Sequence, residues 1–215
     1  MTSPLFNRRH FTASLLPLVA AGHALAAAPA APTVLVLGDS LSAEYGLPRG
    51  SGWVALLQAQ LTQSHPGSRV VNASISGETT SGGRTRLPAL LRQHRPTHVI
   101  VELGGNDALR GLPLEMTQDN LAYLLRTSRE AGARVLLLGM QMPPNYGAEP
   151  TRRFAALYPA LAKQQRAALV PFFLKGVGDD PDPLRWFQAD RIHPNEAAQP
   201  RLLANVWPEL KKLLA

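Results

Sequence analysis

Five short apolar runs recur along this chain, and segments with helical periodicity separate them. The runs are rich in Val, Ile and Leu and alternate poorly between apolar and polar residues, which is typical of strands buried on both faces. They are Thr33 to Leu37, Arg69 to Ala73, His98 to Leu103, Arg134 to Leu138 and Leu169 to Phe173. Strands that alternate with helices predict a single α/β domain with a doubly wound parallel sheet and right-handed crossovers.

The segments with helical periodicity are Gly52 to Gln63, about Arg84 to Gln93, Leu114 to Ala131, Arg152 to Ala167 and about Asn195 to Leu214. Pro88 and Pro159 fall within two of them and predict a helix start, a kink or a break at those points. From Lys175 to Ile192 the periodicity gives way to Gly, Asp and Pro. Because a loop of that length in a compact domain is usually functional, we expect it to contribute to a site.

The N-terminus has the three parts of an export signal. Asn7 to Phe11 is basic, Phe11 to Ala21 is mostly apolar, and Ala24-Leu25-Ala26 supplies small residues for signal peptidase. The chain is therefore expected to reach the periplasm or the medium.

These features divide the chain into a signal peptide over residues 1–26, an Ala/Pro-rich linker over 27–32 and one domain over 33–215. Arg8-Arg9-His10-Phe11 resembles a twin-arginine export signal, which would carry an already folded protein, and a Sec signal is the alternative.

The composition excludes several classes of protein. The absence of cysteine excludes disulfides, a thiolate nucleophile, cysteine zinc sites and a lipoprotein anchor. No apolar run reaches the roughly 18 to 20 residues that span a bilayer. The net charge is +7, but the basic residues are not interleaved with aromatic ones in a nucleic-acid-binding motif. We therefore expect a monomer with no nucleic-acid partner and at most transient contact with a membrane surface.

Glycine and small polar residues follow the first three predicted strands. The three segments are Gly38-Asp39-Ser40-Leu41-Ser42, Ser74-Ile75-Ser76-Gly77 and Gly104-Gly105-Asn106-Asp107. Because the carboxyl ends of parallel strands meet at one edge of the sheet, Ser40, Gly77 and Asn106 are expected to converge. Each segment also has a purely structural interpretation, since glycine permits tight turns and Asp, Asn or Ser caps helices.

The long loop ends in Asp190-Arg191-Ile192-His193-Pro194. At a spacing of three residues, in one helical turn, the side chains of Asp190 and His193 can face each other. Asp190 would then accept a hydrogen bond from Nδ1 of His193 and leave Nε2 to take the proton of Ser40. A helix cap at Asp190 and a surface histidine at 193 are the alternatives.

Together these residues supply what acyl transfer requires. Ser40 is a candidate nucleophile, and His193 is its candidate base. The backbone N–H groups of Ser40 and Gly77 and the side-chain amide of Asn106 are candidate donors to an oxyanion. Such a reaction needs no cofactor. We predict no metal site, because the acids at Asp179, Asp180 and Asp182 are interpreted as a solvated turn rather than a calcium site.

The same residues resemble those of the SGNH hydrolases, also called the GDSL family, whose four sequence blocks occur here in order. The first matches Gly38 to Ser42, the second centres on Gly77, the third matches Gly105-Asn106-Asp107, and the last matches Asp190, His193 and Pro194. Longer matches, such as Asn72 to Gly77 and Val101 to Asp107, resemble the bacterial periplasmic branch known as thioesterase I, protease I, lysophospholipase or arylesterase.

The resemblance implies a three-layer α/β/α fold with the flavodoxin-like strand order 2-1-3-4-5. It also implies Ser40, Asp190 and His193 as a catalytic triad and Ser40, Gly77 and Asn106 as the oxyanion hole. The expected activity is that of a serine esterase on short to medium acyl esters, including aryl esters, acyl thioesters and lysophospholipids. A carbohydrate O-deacetylase of the same family and a non-catalytic lipid-binding or carbohydrate-binding module are the alternatives.

An acyl groove is expected on the same edge of the sheet, after the third and fourth strands. Its candidate lining residues are Leu109, Leu112, Met140, Met142, Pro143 and Tyr146. Ordinary loop packing is the alternative explanation for each of them.

Overall fold

The computed structural model describes Met1 and residues 31–215. Five strands form one sheet in the order β2-β1-β3-β4-β5, and all neighbouring strands are parallel. They are β1 (Thr33–Gly38), β2 (Arg69–Asn72), β3 (His98–Glu102), β4 (Arg134–Leu138) and β5 (Ala168–Val170). The predicted doubly wound parallel sheet and its strand order are confirmed.

Helices cover both faces of this sheet. Their bounds are α1 (Trp53–Ser64), α2 (Thr80–His94), α3 (Gly105–Leu109), α4 (Leu114–Glu130), α5 (Ala148–Gln165) and α6 (Gln199–Leu214). Helix α1 packs against α6, whereas α4 packs against both α2 and α5. This is the three-layer arrangement, and it explains why strands β1, β3 and β4 are buried along nearly their whole length.

Prolines interrupt the helices less than the sequence suggested. Pro88 lies inside α2 and Pro159 inside α5, so neither marks a helix start or a break. Both helices also begin several residues earlier than predicted, at Thr80 and Ala148. Packing of an apolar face against the sheet outweighs the backbone hydrogen bond that an internal proline removes.

The fifth strand differs most from its predicted bounds. It begins at Ala168 and ends at Val170, before Pro171, whereas the apolar run continues to Phe173. Phe173 is fully buried, and its ring contacts Trp53 edge to face at 5.5 Å between centroids. The apolar run therefore extends to Phe173 because that residue is buried in the core, and not because the strand is longer.

The C-terminal helix also begins later than predicted. A 3₁₀ turn over Glu196–Ala198 precedes α6, and the side chain of Asn195 accepts a hydrogen bond from the backbone N–H of Ala198. Asn195 thus caps the 3₁₀ turn rather than the α-helix itself.

The predicted signal segment from residue 2 to residue 26 and the linker as far as residue 30 lie outside the described residues. Among the residues that the structure describes, no helix is both long enough and apolar enough to cross a membrane.

Substitution of Leu136 tests how much the core around the central strands contributes to the free energy of unfolding. Leu136 lies in β4 and is fully buried. We expect Leu136→Ala to lower the free energy of unfolding by about 2 to 5 kcal/mol, because it removes buried apolar surface and leaves a cavity. Leu184→Ala is the control, since Leu184 is 57% exposed; its effect should stay within about 0.5 kcal/mol. Similar losses in urea unfolding of both variants would contradict the assignment of the core.

Candidate active site

Ser40 lies in the turn that follows β1. The carbonyl of Asp39 accepts hydrogen bonds from the backbone N–H groups of Ser42 (3.2 Å) and Ala43 (3.0 Å), which close this turn. The side chain of Ser40 is half-buried at the carboxyl edge of the sheet. The strand thus ends in a tight turn that presents the Ser40 hydroxyl to solvent at the predicted edge.

A second turn brings Asp190 and His193 together, although it is not helical. Asp190 Oδ1 accepts hydrogen bonds from the backbone N–H groups of Ile192 (2.9 Å) and His193 (3.0 Å), and Arg191 has a positive φ of 61°. The prediction of a helical turn is therefore wrong. The contact between the two side chains arises because the carboxylate itself closes a tight Asx-type turn.

The two turns meet through His193. Its Nδ1 lies 2.6 Å from Asp190 Oδ2, and its Nε2 lies 2.8 Å from Ser40 Oγ. With the imidazole proton on Nδ1, His193 donates to Asp190 and accepts from the Ser40 hydroxyl. The structure thus joins three residues of which two are separated by 153 positions in the chain.

Contacts of the long loop hold His193 against the first turn. Phe187 and Pro194 form an antiparallel bridge, and Gln188 donates from Nε2 to the carbonyl of Tyr45 at 2.8 Å. The Tyr45 ring also lies 4.3 Å from the His193 ring, with the two planes tilted by 38°. Tyr45 is a contact of the site that the sequence analysis did not identify.

Asp190 is poised to stay ionised. Burial raises its pKa, but hydrogen bonds from the backbone N–H groups of His193 and Ile192 and from the His193 side chain outweigh this and lower the pKa to about 2. An ionised carboxylate at this position favours the Nδ1-protonated form of His193 and leaves Nε2 as the acceptor.

Gly77 and Asn106 lie on the two sides of the Ser40 turn, after β2 and β3. Gly77 has a φ of 78°, a conformation that side chains other than glycine rarely adopt. Its carbonyl accepts a hydrogen bond from Arg110 at 2.7 Å. Asn106 lies in α3, and its Nδ2 donates to Asp39 Oδ2 at 3.0 Å. The loops after β1 and β3 are therefore joined directly at the site.

Two buried carboxyl groups lie beneath Ser40. Asp39 is 3% exposed and Glu102, the last residue of β3, is 1% exposed. Glu102 Oε2 accepts hydrogen bonds from the Asp39 backbone N–H (3.2 Å) and the Ser42 hydroxyl (2.8 Å). A Cβ on Gly38 would come within 2.8 Å of Glu102 Oε2, so glycine at 38 makes room for this carboxyl group.

Neither Asp39 nor Glu102 is among the predicted site residues. A signal for Glu102 was present, because a charged residue inside the otherwise apolar run from His98 to Leu103 must have a specific partner. Which partner it has depends on the register of β1 against β3, which pairs Gly38 with Glu102.

A cavity of about 230 Å³ opens beside α3. Among its lining residues are Ala108, Leu112, Leu114, Met142 and Phe154. Of the six predicted groove residues, Leu112 and Met142 therefore line it.

The other four predicted groove residues lie elsewhere. Leu109, Pro143 and Tyr146 are exposed outside the cavity lining, and Met140 is buried among the core residues. All six stay predicted groove residues, and of these Leu112 and Met142 also line this cavity.

Asp180 in the acidic loop accepts hydrogen bonds from Arg185 (2.8 Å) and from the indole of Trp186 (3.1 Å). Among the described residues, no group of three or more His, Cys, Asp or Glu side chains is arranged to hold a metal ion.

Comparison with known proteins identifies the family. A model of the GDSL-like Lipase/Acylhydrolase family matches residues 36–200. The chain belongs to this family. The match spans all of the segments that carry Ser40, Gly77, Asn106, Asp190 and His193.

Relatives within the GDSL family resemble the chain over most of its length. It is 56% identical over 185 residues to Esterase TesA of Pseudomonas aeruginosa, covering 86% of this chain and 90% of that protein. It is 47% identical over 187 residues to Thioesterase 1/protease 1/lysophospholipase L1 of Escherichia coli K12, covering 87% of each. The crystal structure of TesA superimposes with a TM-score of 0.80 at 55% identity, covering 84% of this chain and 99% of that one.

The lowered pKa of Asp190 predicts a pH-dependent contribution to stability. The pKa of Asp190 is about 2 in the folded protein, below its ordinary value of 3.8, so ionised Asp190 stabilises the fold above pH 3.8. This contribution is lost as the pH falls towards about 2. The difference in urea unfolding midpoint between wild type and Asp190→Asn should therefore be present at neutral pH and shrink over that range.

Asp182→Asn is the matched control, because Asp182 is an exposed acid in the same loop. A difference between wild type and Asp190→Asn that stays constant down to pH 2 would contradict the assigned hydrogen bonds of Asp190.

Proposed function

We propose that this GDSL-family serine esterase hydrolyses short to medium acyl esters through an acyl-enzyme on Ser40. The observation that carries the proposal is the continuous hydrogen-bonded chain from Asp190 through His193 to Ser40, with distances of 2.6 and 2.8 Å. In this proposal Ser40 is the nucleophile, His193 is the general base, and Asp190 orients the imidazole.

The chemistry follows from these contacts. Ser40 Oγ attacks the ester carbonyl carbon while its proton moves to His193 Nε2, and Asp190 stabilises the resulting imidazolium. The imidazolium then gives its proton to the leaving alcohol or thiol, and the acyl group stays on Ser40. Water then attacks the acyl carbon as it gives a proton to His193 Nε2. The bond to Ser40 Oγ breaks, His193 returns the proton to Oγ, and the acid is released. Because protein groups supply every step, the reaction needs no cofactor.

The tetrahedral intermediate places a negative charge on the former carbonyl oxygen. We assign its stabilisation to the backbone N–H groups of Ser40 and Gly77 and to Asn106 Nδ2. The contacts of Asn106 support this role, because its Nδ2 carries two hydrogens and donates one of them to Asp39. The second hydrogen is available to an oxyanion, where a preorganised donor stabilises the transition state more than the substrate.

The proposed substrates are aryl esters, acyl thioesters and lysophospholipids. The names of the relatives, which include esterase, thioesterase and lysophospholipase, support this range. The cavity beside α3 supports a short to medium acyl chain, because its volume of about 230 Å³ is below the ~300 to 1,000 Å³ of sites for drug-sized ligands. Its lining residue Ala108 lies in α3, the helix that also carries Asn106.

The proposal extends to location and assembly. We infer that residues 1–26 direct export, that 33–215 form the catalytic domain, and that the mature enzyme acts as a monomer in the periplasm or outside the cell. The basic and apolar segments of the N-terminus support export. Contact with a membrane surface would be transient, limited to uptake of lipid substrate.

Labelling tests the nucleophile. A fluorophosphonate should modify Ser40 in wild type, and mass spectrometry should locate the adduct on the peptide that contains it. Ser40→Ala should abolish the label and lower kcat by about 10⁶-fold. Ser64→Ala, at an exposed serine at the end of α1, is the control and should leave both unchanged. A wild-type protein that hydrolyses no ester and stays unlabelled would favour a binding module, and activity confined to acetylated xylan or peptidoglycan would favour a deacetylase.

Met142 tests the assignment of the acyl cavity. Met142→Trp should fill part of it and lower kcat/KM for octanoyl esters relative to acetyl esters by about 10-fold or more, since single methylenes in apolar pockets change rates by about 10 to 200-fold. Leu184→Trp adds the same bulk at an exposed position outside the cavity. An unchanged octanoyl-to-acetyl ratio in Met142→Trp would show that acyl chains bind elsewhere.

A further inference from the structure

Asp39 and Glu102 form a buried pair of carboxyl groups directly behind the proposed oxyanion hole. They are 3% and 1% exposed, and no Lys or Arg of the described residues forms an ion pair with either. Two carboxylates in contact and shielded from water repel each other strongly, and burial penalises each charge further. The pair therefore keeps one proton, as carboxyl pairs in other enzymes do.

The hydrogen bonds indicate which residue holds this proton. Asp39 accepts at both oxygens, from the Leu41 backbone N–H at Oδ1 (3.0 Å) and from Asn106 Nδ2 at Oδ2 (3.0 Å), which stabilises its anion. Glu102 accepts both of its hydrogen bonds at Oε2, whereas the buried Oε1 receives none from the described residues. An oxygen without a donor is the natural position for a proton, and the side chains of Glu102 and Asp39 are in hydrogen-bonding contact.

The electrostatics agree with this assignment. Burial, followed by the charge of Asp39, raises the pKa of Glu102 well above its ordinary value, and its side-chain hydrogen bond to Asp39 raises the pKa further. Burial also raises the pKa of Asp39, to about 6, but the same hydrogen bond, the donors Leu41 and Asn106 and the charge of His193 all lower it. The shared bond thus favours a neutral Glu102 and an ionised Asp39.

We propose that Glu102 is a positioning residue whose carboxyl proton is donated to Asp39, which in turn orients Asn106 towards the substrate oxyanion. This inference rests on the proposed function, because it gives Asn106 the role assigned above. Held from one side by Glu102 and from the other by its own turn, the Asp39 carboxylate has a fixed orientation. Asn106 Nδ2 therefore donates one hydrogen to a fixed acceptor and aims the other.

The network continues from Glu102 into the core. The indole N–H of Trp53 donates to Ser42 Oγ at 3.2 Å, and the Ser42 hydroxyl donates to Glu102 Oε2 at 2.8 Å. Trp53 is fully buried in α1, so it holds the carboxyl group in place. Two ionisable groups face the pair from other elements: His193 from the long loop and Tyr158 from α5, and Asp107 of α3 acts in turn on Tyr158.

Two substitutions at Glu102 test whether its hydrogen bond to Asp39 matters for activity. Glu102→Gln keeps a neutral side chain that both donates and accepts, so most of kcat should be retained. Glu102→Leu removes the donor to Asp39 and should lower kcat by up to about 10²-fold, the effect of a small misplacement at a reacting centre, with little change in KM. In an Asn106→Ala background, the loss caused by Glu102→Leu should nearly disappear, because its effect passes through Asn106.

The pH profile gives a further readout. Glu102 of wild type should lose its proton at alkaline pH, and kcat should fall as the two carboxylates repel each other. Glu102→Gln has no proton to lose, so this fall should move to higher pH. A loss of kcat in Glu102→Gln as large as in Glu102→Leu would overturn the proposal, as would a loss from Glu102→Leu that persists without Asn106.

Infrared spectroscopy detects the proton without measuring activity. At neutral pH, wild type should show the C=O stretch of a buried protonated carboxyl group, which Glu102→Gln removes and Glu130→Gln, at an exposed glutamate of α4, retains. Absence of this band from wild type would overturn the proposal even where Glu102→Leu fails to fold. A failure of the proposed function would appear separately, as an unlabelled Ser40.

Discussion

The parallel pairing of β1 with β3 is the interaction on which the site depends. It sets Gly38 opposite Glu102, so the turns that follow the two strands leave the sheet side by side. One turn carries Ser40 and the other carries Asn106, and the hydrogen bond between Asn106 and Asp39 joins them. A slip of one residue in this register would reverse the faces of the side chains along the strand and separate the proposed nucleophile from the proposed oxyanion donor.

The remaining part of the proposed triad comes from a segment without regular strand pairing. The loop that carries His193 reaches the Ser40 turn through backbone and side-chain hydrogen bonds, among them that of Gln188 to Tyr45. At the other side, Gln199 Oε1 accepts from the backbone N–H of Trp53 at 3.0 Å, so the start of α6 is fastened to the start of α1. The start of α1 thus contacts the segment that follows the proposed base and, through the Trp53 indole, the hydrogen-bond network of the carboxyl pair beneath Ser40.

Much of this arrangement was predictable from the sequence, because buried parallel strands are marked by continuous apolar runs and their polar ends converge at one edge. That reasoning predicted that Ser40, Gly77 and Asn106 lie at one edge of the sheet, and it selected His193 as the candidate base. It could not give the geometry of the Asp190 turn, since the positive φ of Arg191 has no sequence signal of its own. Nor could it show which side chains after β4 face the cavity, because that depends on how α5 packs beside the loop.

The pairing of Asp39 with Glu102 could be predicted only in part. Its residues stand out in the sequence, but their contact exists only in the folded register. An apolar side chain at 102 would avoid the desolvation of a carboxyl group, and replacing buried ionisable groups by hydrophobic ones is often neutral or stabilising. A Cβ at position 38 would come within 2.8 Å of Glu102 Oε2, so glycine at that position is needed to accommodate the carboxyl group. A buried polar network with its hydrogen bonds satisfied specifies one arrangement of its members. In the proposed mechanism, that single arrangement lets the Asn106 donor meet the developing negative charge without reorganising.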